Sequence, residues 1–133
     1  MDLGLKGKNV IVTGGSRGIG RSIARAFAAQ GASVVVNYAS SQSGADAVVA
    51  DIRRAGGQAV AVQGSVAREA EVQRLFAEAH EAFGRLDILV NNAGVYLIGA
   101  LEEVTEAEFH RQFDTNVLGP ILATREAVKR FPA

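Results

Sequence analysis

Short apolar runs alternate along this chain with stretches in which apolar residues recur every three or four positions. The runs lie at residues 9–12, 33–37, 59–63 and 86–91. Four to six residues rich in Val, Ile, Leu and Ala, with no polar alternation, predict strands buried on both faces. The intervening stretches predict helices over 18–30, 43–55 and 68–83, the first carried by Ile23, Ala24, Phe27 and Ala28. Gly31, Gly56 and Gly84 stand where the C-caps of these helices belong. Thr105, with Glu108 three residues on, forms a capping box that starts another helix. A final helical stretch runs from about 112 to 130. Its apolar residues occupy more than one face: Phe113, Val117, Ile121 and Val128, with Leu118 and Leu122 beside them. One stripe would face a sheet, and the other needs cover from a partner or from the chain itself.

Repeated strand–helix–strand units imply an α/β fold with a parallel sheet and right-handed crossovers. No linker or low-complexity break interrupts the 133 residues, so they read as one domain spanning 1–133. Formal net charge is zero but uneven. Residues 1–67 carry seven basic and three acidic groups, and residues 68–133 carry seven and eleven. A basic cluster with interleaved aromatics is missing, which argues against nucleic acid as a partner. The chain has no Cys and only His80 and His110, both among charged helical neighbours, so neither thiol chemistry nor a metal site is expected. Its first residues do not read as a signal peptide and no apolar run has membrane length; the expectation is a cytoplasmic protein.

The chemistry is concentrated in Thr13-Gly14-Gly15-Ser16-Arg17-Gly18-Ile19-Gly20, between the first predicted strand and the first helix. A glycine turn that opens a helix presents free N–H groups and the positive end of the helix dipole, a site for a dinucleotide pyrophosphate. The glycine spacing, G-x-x-x-G-x-G, departs from the general G-x-G-x-x-G fingerprint. With its leading Thr, and with Asn91-Asn92-Ala93-Gly94 after the fourth apolar run, the chain resembles the short-chain dehydrogenase/reductase family, in particular its ketoreductase-like (3-oxoacyl-ACP reductase-like) members. The resemblance covers the whole chain. It implies a Rossmann-type, doubly wound parallel sheet, here of four strands in the order 3-2-1-4 with helices on both faces. It also implies that β-strand 4 is a bare apolar edge that invites self-association, and that the final helix packs against its twin in a dimer.

Family members are about twice this length. They use a Tyr as general acid/base, a Lys four residues later, a Ser that polarises the carbonyl and an Asn that supports a proton-relay water. Here Tyr38 is followed four residues on by Gln42 and Tyr96 by Ala100, and the lysines are Lys6, Lys8 and Lys129. The Tyr-x-x-x-Lys pair is therefore absent. One positioned proton donor is worth ~10²- to 10⁴-fold, so the chain is expected to be inactive alone. Asp114-Thr115-Asn116-Val117 matches the family's Asn segment and makes Asn116 the relay residue by resemblance. Pro120 has no N–H for the Asn116 carbonyl, which either frees that carbonyl for another partner or simply kinks the helix.

Cofactor contacts are expected from Gly14, Ser16, Arg17, Gly18, Ile19 and Gly20, and from Asn92, Ala93 and Gly94; Asn91 or Asn92 could equally tie strand ends together. After the second strand, Asn37-Tyr38-Ala39-Ser40-Ser41 offers donors and no carboxylate, and Arg17 adds a cation. A carboxylate there would accept the ribose 2′-OH of NAD; its absence predicts NADP(H) in preference to NAD(H). Ser40 or Ser41 also stands where the next helix would be capped. Ser65-Val66 lies where the family usually has Asp-Val against the adenine edge. Three readings follow: an NADP(H)-dependent oxidoreductase represented by its coenzyme half, a non-catalytic nucleotide-binding module awaiting a second chain, or an association fragment. The substrate, a small carbonyl or alcohol, requires the missing half; Val95, Tyr96 and Leu97 are candidates to touch it.

Overall fold

The computed structural model describes residues 1–133. Its four strands are β1 (Asn9–Val12), β2 (Ser33–Tyr38), β3 (Gln58–Gln63) and β4 (Ile88–Val90). They form one parallel sheet in the order β3-β2-β1-β4, the doubly wound arrangement expected. In register, Val10, Ile11 and Val12 pair with Val34, Val35 and Val36 on one side and with Ile88, Leu89 and Val90 on the other. The helices are α1 (Gly18–Ala29), α2 (Gln42–Arg54), α3 (Glu69–Phe83), α4 (Glu106–Phe113) and α5 (Gly119–Arg130). Gly31, Gly56 and Gly84 close α1, α2 and α3 with φ of 88, 91 and 82°.

Strand side chains alternate between two cores, which is why the strands carry apolar residues at consecutive positions, as in Val10 to Val12 and Val34 to Val36. Val10, Val12, Val34, Val36 and Ala59 face α1 and α2, packed on Ala24, Ala45, Val48, Val49 and Ile52. Ile11, Val35 and Val62 face α3 and α5, packed on Leu75, Phe76, Ala79, Ala123 and Ala127. Nothing covers the outer side of β4, whose residues are only half-buried.

The C-terminal third departs from simple α-helix. Thr105 caps α4 as expected, its hydroxyl accepting from Glu108 N–H at 3.1 Å. Helical backbone then continues to Arg130, but through a π-helical turn, Asp114–Leu118. There Gly119 N–H donates to the Asp114 carbonyl, five residues back. Pro120 is the physical reason: with no N–H at the start of α5, the ladder shifts register by one residue rather than leaving a helix broken. Such bulges gather at functional sites.

α5 buries Gly119, Leu122, Ala123, Glu126 and Ala127. The second stripe is not buried within the chain: Phe113, Val117, Ile121 and Val128 are 51, 49, 58 and 66% exposed. Phe113 stacks on Phe109 with ring centroids 4.3 Å apart, extending the apolar patch onto α4. No helix is long and apolar enough to cross a membrane.

Candidate functional site

The glycine loop leaves β1 and turns into α1 beside the end of β4. Its anchor is Thr13, 1% exposed. The Thr13 hydroxyl donates to the Val90 carbonyl at 3.3 Å and accepts from Asn92 N–H at 3.0 Å and Ala93 N–H at 3.1 Å. The Asn92 amide then donates to the Thr13 and Gly14 carbonyls at 3.1 and 3.0 Å. One hydroxyl and one carboxamide thus weld the loop to the Asn92–Gly94 segment. Gly20 makes this approach possible, since a Cβ there would lie 2.2 Å from the Gly14 carbonyl oxygen and 2.4 Å from Asn92 Nδ2.

Arg17, Gly18 and Ile19 are exposed at the mouth of α1, whereas Ser16 and Gly20 are buried. Gly18 has φ +57° and open space where a Cβ would stand. Arg17 occupies the N-cap position and makes no side-chain cap bond, so no protein side chain caps the N–H groups of the first turn. Free N–H groups, an exposed guanidinium and open space beside Gly18 suit a pyrophosphate. The residues therefore fit a dinucleotide, and the crevice lies where such folds bind it, outside the carboxyl ends of β1 and β4 at the reversal of strand order.

The five residues from Asn37 to Ser41 do not all face this crevice. Asn37 is 2% exposed and its side chain is fully engaged. Its Nδ2 donates to the Val62 and Gly64 carbonyls at 3.2 and 3.1 Å, and its Oδ1 accepts from Gly14 N–H at 3.3 Å. Asn37 therefore holds the glycine loop against the end of β3. Tyr38 is half-buried, and Ala39 and Ser40 are exposed. Ser41 is the N-cap residue of α2 but its hydroxyl makes no cap bond, so neither Ser40 nor Ser41 caps by side chain. A Cβ on Gly44 would lie 2.7 Å from Ser41 Oγ and 2.8 Å from the Ser16 carbonyl, which places Ser41 beside the glycine loop.

At the far end of the crevice, Ser65 is half-buried and Val66 is 6% exposed, packed with Val72 and Leu122. Only the Val66 backbone is left for a ligand. On the β4 side, Asn91 Nδ2 donates to Thr124 Oγ1 at 3.1 Å, tying the strand end to α5. Asn116 sits in the π-helical turn. Its Oδ1 accepts from Val95 N–H at 2.8 Å and its Nδ2 donates to the Val95 carbonyl at 2.5 Å. The carboxamide is thus a two-point latch on the segment after Gly94. Beyond it, Tyr96 and Leu97 are 78 and 63% exposed. Arg111 binds Glu108 through Nε and Nη2 and holds its carboxyl below the usual carboxylate range, while Arg111 Nη2 reaches the Tyr96 carbonyl at 3.4 Å.

Thr13 escaped the sequence-based set of contacts, although its leading place in the motif marked it. Glu71, whose Oε1 accepts from Ser65 N–H at 3.0 Å, left no such signal.

The short chain dehydrogenase family model matches residues 8–133. The chain belongs to that family. An uncharacterized oxidoreductase of Methylorubrum extorquens is 57% identical over 125 residues, 94% of this chain and 50% of its own length. Tetrahydroxynaphthalene reductase of Pyricularia oryzae is 42% identical, over 94% of this chain and 44% of that protein. A Burkholderia cenocepacia short chain dehydrogenase in complex with NADP superposes with a TM-score of 0.92 at 42% identity, covering 96% of this chain and 52% of that one. A blue fluorescent protein from a metagenomic library, in complex with NADPH, gives 0.91 at 41% identity, with 96 and 53% covered. The chain spans about half the length of the curated relatives it matches.

Proposed function

We propose that this chain is the coenzyme-binding part of an NADP(H)-dependent oxidoreductase acting on a carbonyl or alcohol carbon. The observation that carries the proposal is the uncapped mouth of α1 at Arg17 and Gly18, open to the crevice where strand order reverses. The coenzyme, when bound, supplies or accepts the hydride. The tasks of holding and orienting it fall to side chains and backbone already described. Gly18 and Ile19 N–H groups receive the pyrophosphate, and Gly14, Ser16 and Gly20 shape its approach. Arg17 with Tyr38, Ala39, Ser40 and Ser41 surrounds the ribose 2′-phosphate, with Asn37 as the brace behind them. Ser65 and Val66 meet the base. Asn92, Ala93 and Gly94 line the nicotinamide end, and Asn116, whose carbonyl meets no N–H four residues on because Pro120 stands there, takes the relay role.

Preference for NADP(H) rests on charge: no carboxylate follows β2, and an exposed guanidinium stands in the loop. The NADP and NADPH complexes of the two superposing proteins support it. Calorimetric titration is expected to give saturable NADPH binding at least tenfold tighter than NADH. Arg17→Ala should remove about tenfold of that preference, the worth of one charge-assisted hydrogen bond. Absence of binding by a chain that circular dichroism shows to be folded overturns the reading. The same samples should not oxidise NADPH with any carbonyl substrate, since these residues hold no Tyr-x-x-x-Lys pair; turnover followed by absorbance would refute that.

A second reading, an association module that works with another chain, is favoured by the bare β4 edge and by the exposed stripe Phe113, Val117, Ile121 and Val128. Self-association is the expected result, seen as concentration-dependent sedimentation; a monomer at every concentration argues against it. Cytoplasmic residence belongs to the same proposal and suits a chain without Cys.

A further inference from the structure

α3 begins without the side-chain cap expected of a helix this long: Arg68 is its N-cap residue and makes no cap bond. Glu71, in the first turn, reaches back past it. Its Oε1 accepts from Ser65 N–H at 3.0 Å, and its Oε2 faces Arg68 Nε at 3.4 Å. Ser65 is gripped from its other side as well. Its hydroxyl accepts from Ala67 N–H at 3.3 Å, and its carbonyl accepts from Arg68 N–H at 3.2 Å. Just upstream, Gly64 N–H donates to the Tyr38 carbonyl at 2.9 Å, while the Gly64 carbonyl accepts from Asn37. Val66 is pinned in the apolar cluster with Val72 and Leu122.

We infer that Glu71 is a positioning residue for recognition of the coenzyme's base, holding Ser65 and Val66 so that they read its hydrogen-bonding edge. The inference rests on the coenzyme reading above. A Ser side chain is short and rotates freely, so as a base reader it needs a fixed backbone. Glu71 supplies that fixation from the helix, with its carboxylate spent on the Ser65 amide and on Arg68. One lone pair and the hydrogen of the Ser65 hydroxyl remain for a ligand. Adenine offers an amino donor beside a ring-nitrogen acceptor, and Ser65 Oγ with the Val66 N–H supplies the matching acceptor and donor.

The test compares NADPH with reduced nicotinamide hypoxanthine dinucleotide phosphate, in which a carbonyl replaces the adenine amino group. Dissociation constants for both are measured by calorimetry on the full chain and on E71A and E71Q. The wild-type chain should prefer NADPH by about three- to tenfold, the worth of a hydrogen bond. E71A should bring that ratio close to one. E71Q, whose amide oxygen still accepts from Ser65 N–H, should keep most of it. If E71A weakens both coenzymes by one factor and leaves the ratio intact, Glu71 serves only the fold and the inference fails. A wild-type chain that binds NADPH without discriminating the base overturns the inference alone; one that binds neither coenzyme overturns the coenzyme reading and the inference with it.

Discussion

Gly20→Ala should abolish NADPH binding, weakening it at least a hundredfold while leaving most of the fold in place. The added Cβ would sit 2.2 Å from the Gly14 carbonyl oxygen and 2.4 Å from Asn92 Nδ2. Neither neighbour can yield cheaply. The Gly14 oxygen is backbone, and it accepts from the same Asn92 Nδ2 that the methyl group would displace. Asn92 also donates to the Thr13 carbonyl, so turning it away breaks two bonds at once. Overpacking of this kind costs about 1–3 kcal/mol. The cheaper relaxation is for α1 to lift away from the loop, which carries Gly18 and Ile19 N–H groups out of line with the pyrophosphate. Calorimetry reads the lost affinity and thermal unfolding reads the stability. An alanine variant that binds NADPH as tightly as the wild type would show that the weld between loop and Asn92 is irrelevant to the site.

What the sequence disclosed of this fold follows from how local each signal is. Parallel strands buried on both faces must be apolar at every position, so Val10 to Val12 and Val34 to Val36 announced themselves and their boundaries held within a residue or two. The fourth strand came out shorter than its apolar run, because Leu86 and Asp87 lead into the sheet and Asn91 turns away to Thr124. The helix ends were equally local, written in Gly31, Gly56 and Gly84. Pro120 announced a disturbance, but whether the backbone breaks, kinks or shifts to a five-residue bond depends on what holds Asp114–Leu118 from outside. Asn116 does part of this through Val95, a partner 21 residues away.

Side-chain direction was the least legible property. Nothing local to Asn37 says that its carboxamide turns inward to bridge residues 62 and 64 with Gly14, because that requires β1, β2 and β3 to be neighbours in that order. The consequence is functional. Asn37, expected among the ligand's contacts from its place at the end of the second strand, has its carboxamide engaged within the protein, so in the proposed coenzyme site a 2′-phosphate would be left to Arg17 and the turn from Tyr38 to Ser41. Glu71 shows the same limit, since its reach to Ser65 spans a helix start that sequence patterns treat as a boundary.

Thr13→Val is the sharper test of what unites the glycine loop with β4. The substitution keeps the shape and apolar bulk of the side chain, so the strand and its packing should persist. It removes the hydroxyl of a residue that is 1% exposed, a group bonded three ways, to the Val90 carbonyl and from the Asn92 and Ala93 N–H groups. Asn92 N–H keeps a second acceptor, the Val90 carbonyl at 3.1 Å. Ala93 N–H gains none, and a part-buried amide left without a partner costs about 1–3 kcal/mol. With the lost bonds to Val90 and Asn92 added, the variant should be destabilised by about 2–3 kcal/mol, a large share of the ~5–15 kcal/mol that holds a domain together. That corresponds to a fall of roughly 6–12 °C in Tm for a chain of this size. NADPH affinity should fall with it, because Asn92, Ala93 and Gly94 lose the post that fixes them at the crevice. Thr13→Ser keeps the hydroxyl and should recover most of both. If the valine variant melts with the wild type while the serine variant does not, shape rather than hydrogen bonding holds the two segments together, and Asn92 alone carries the joint.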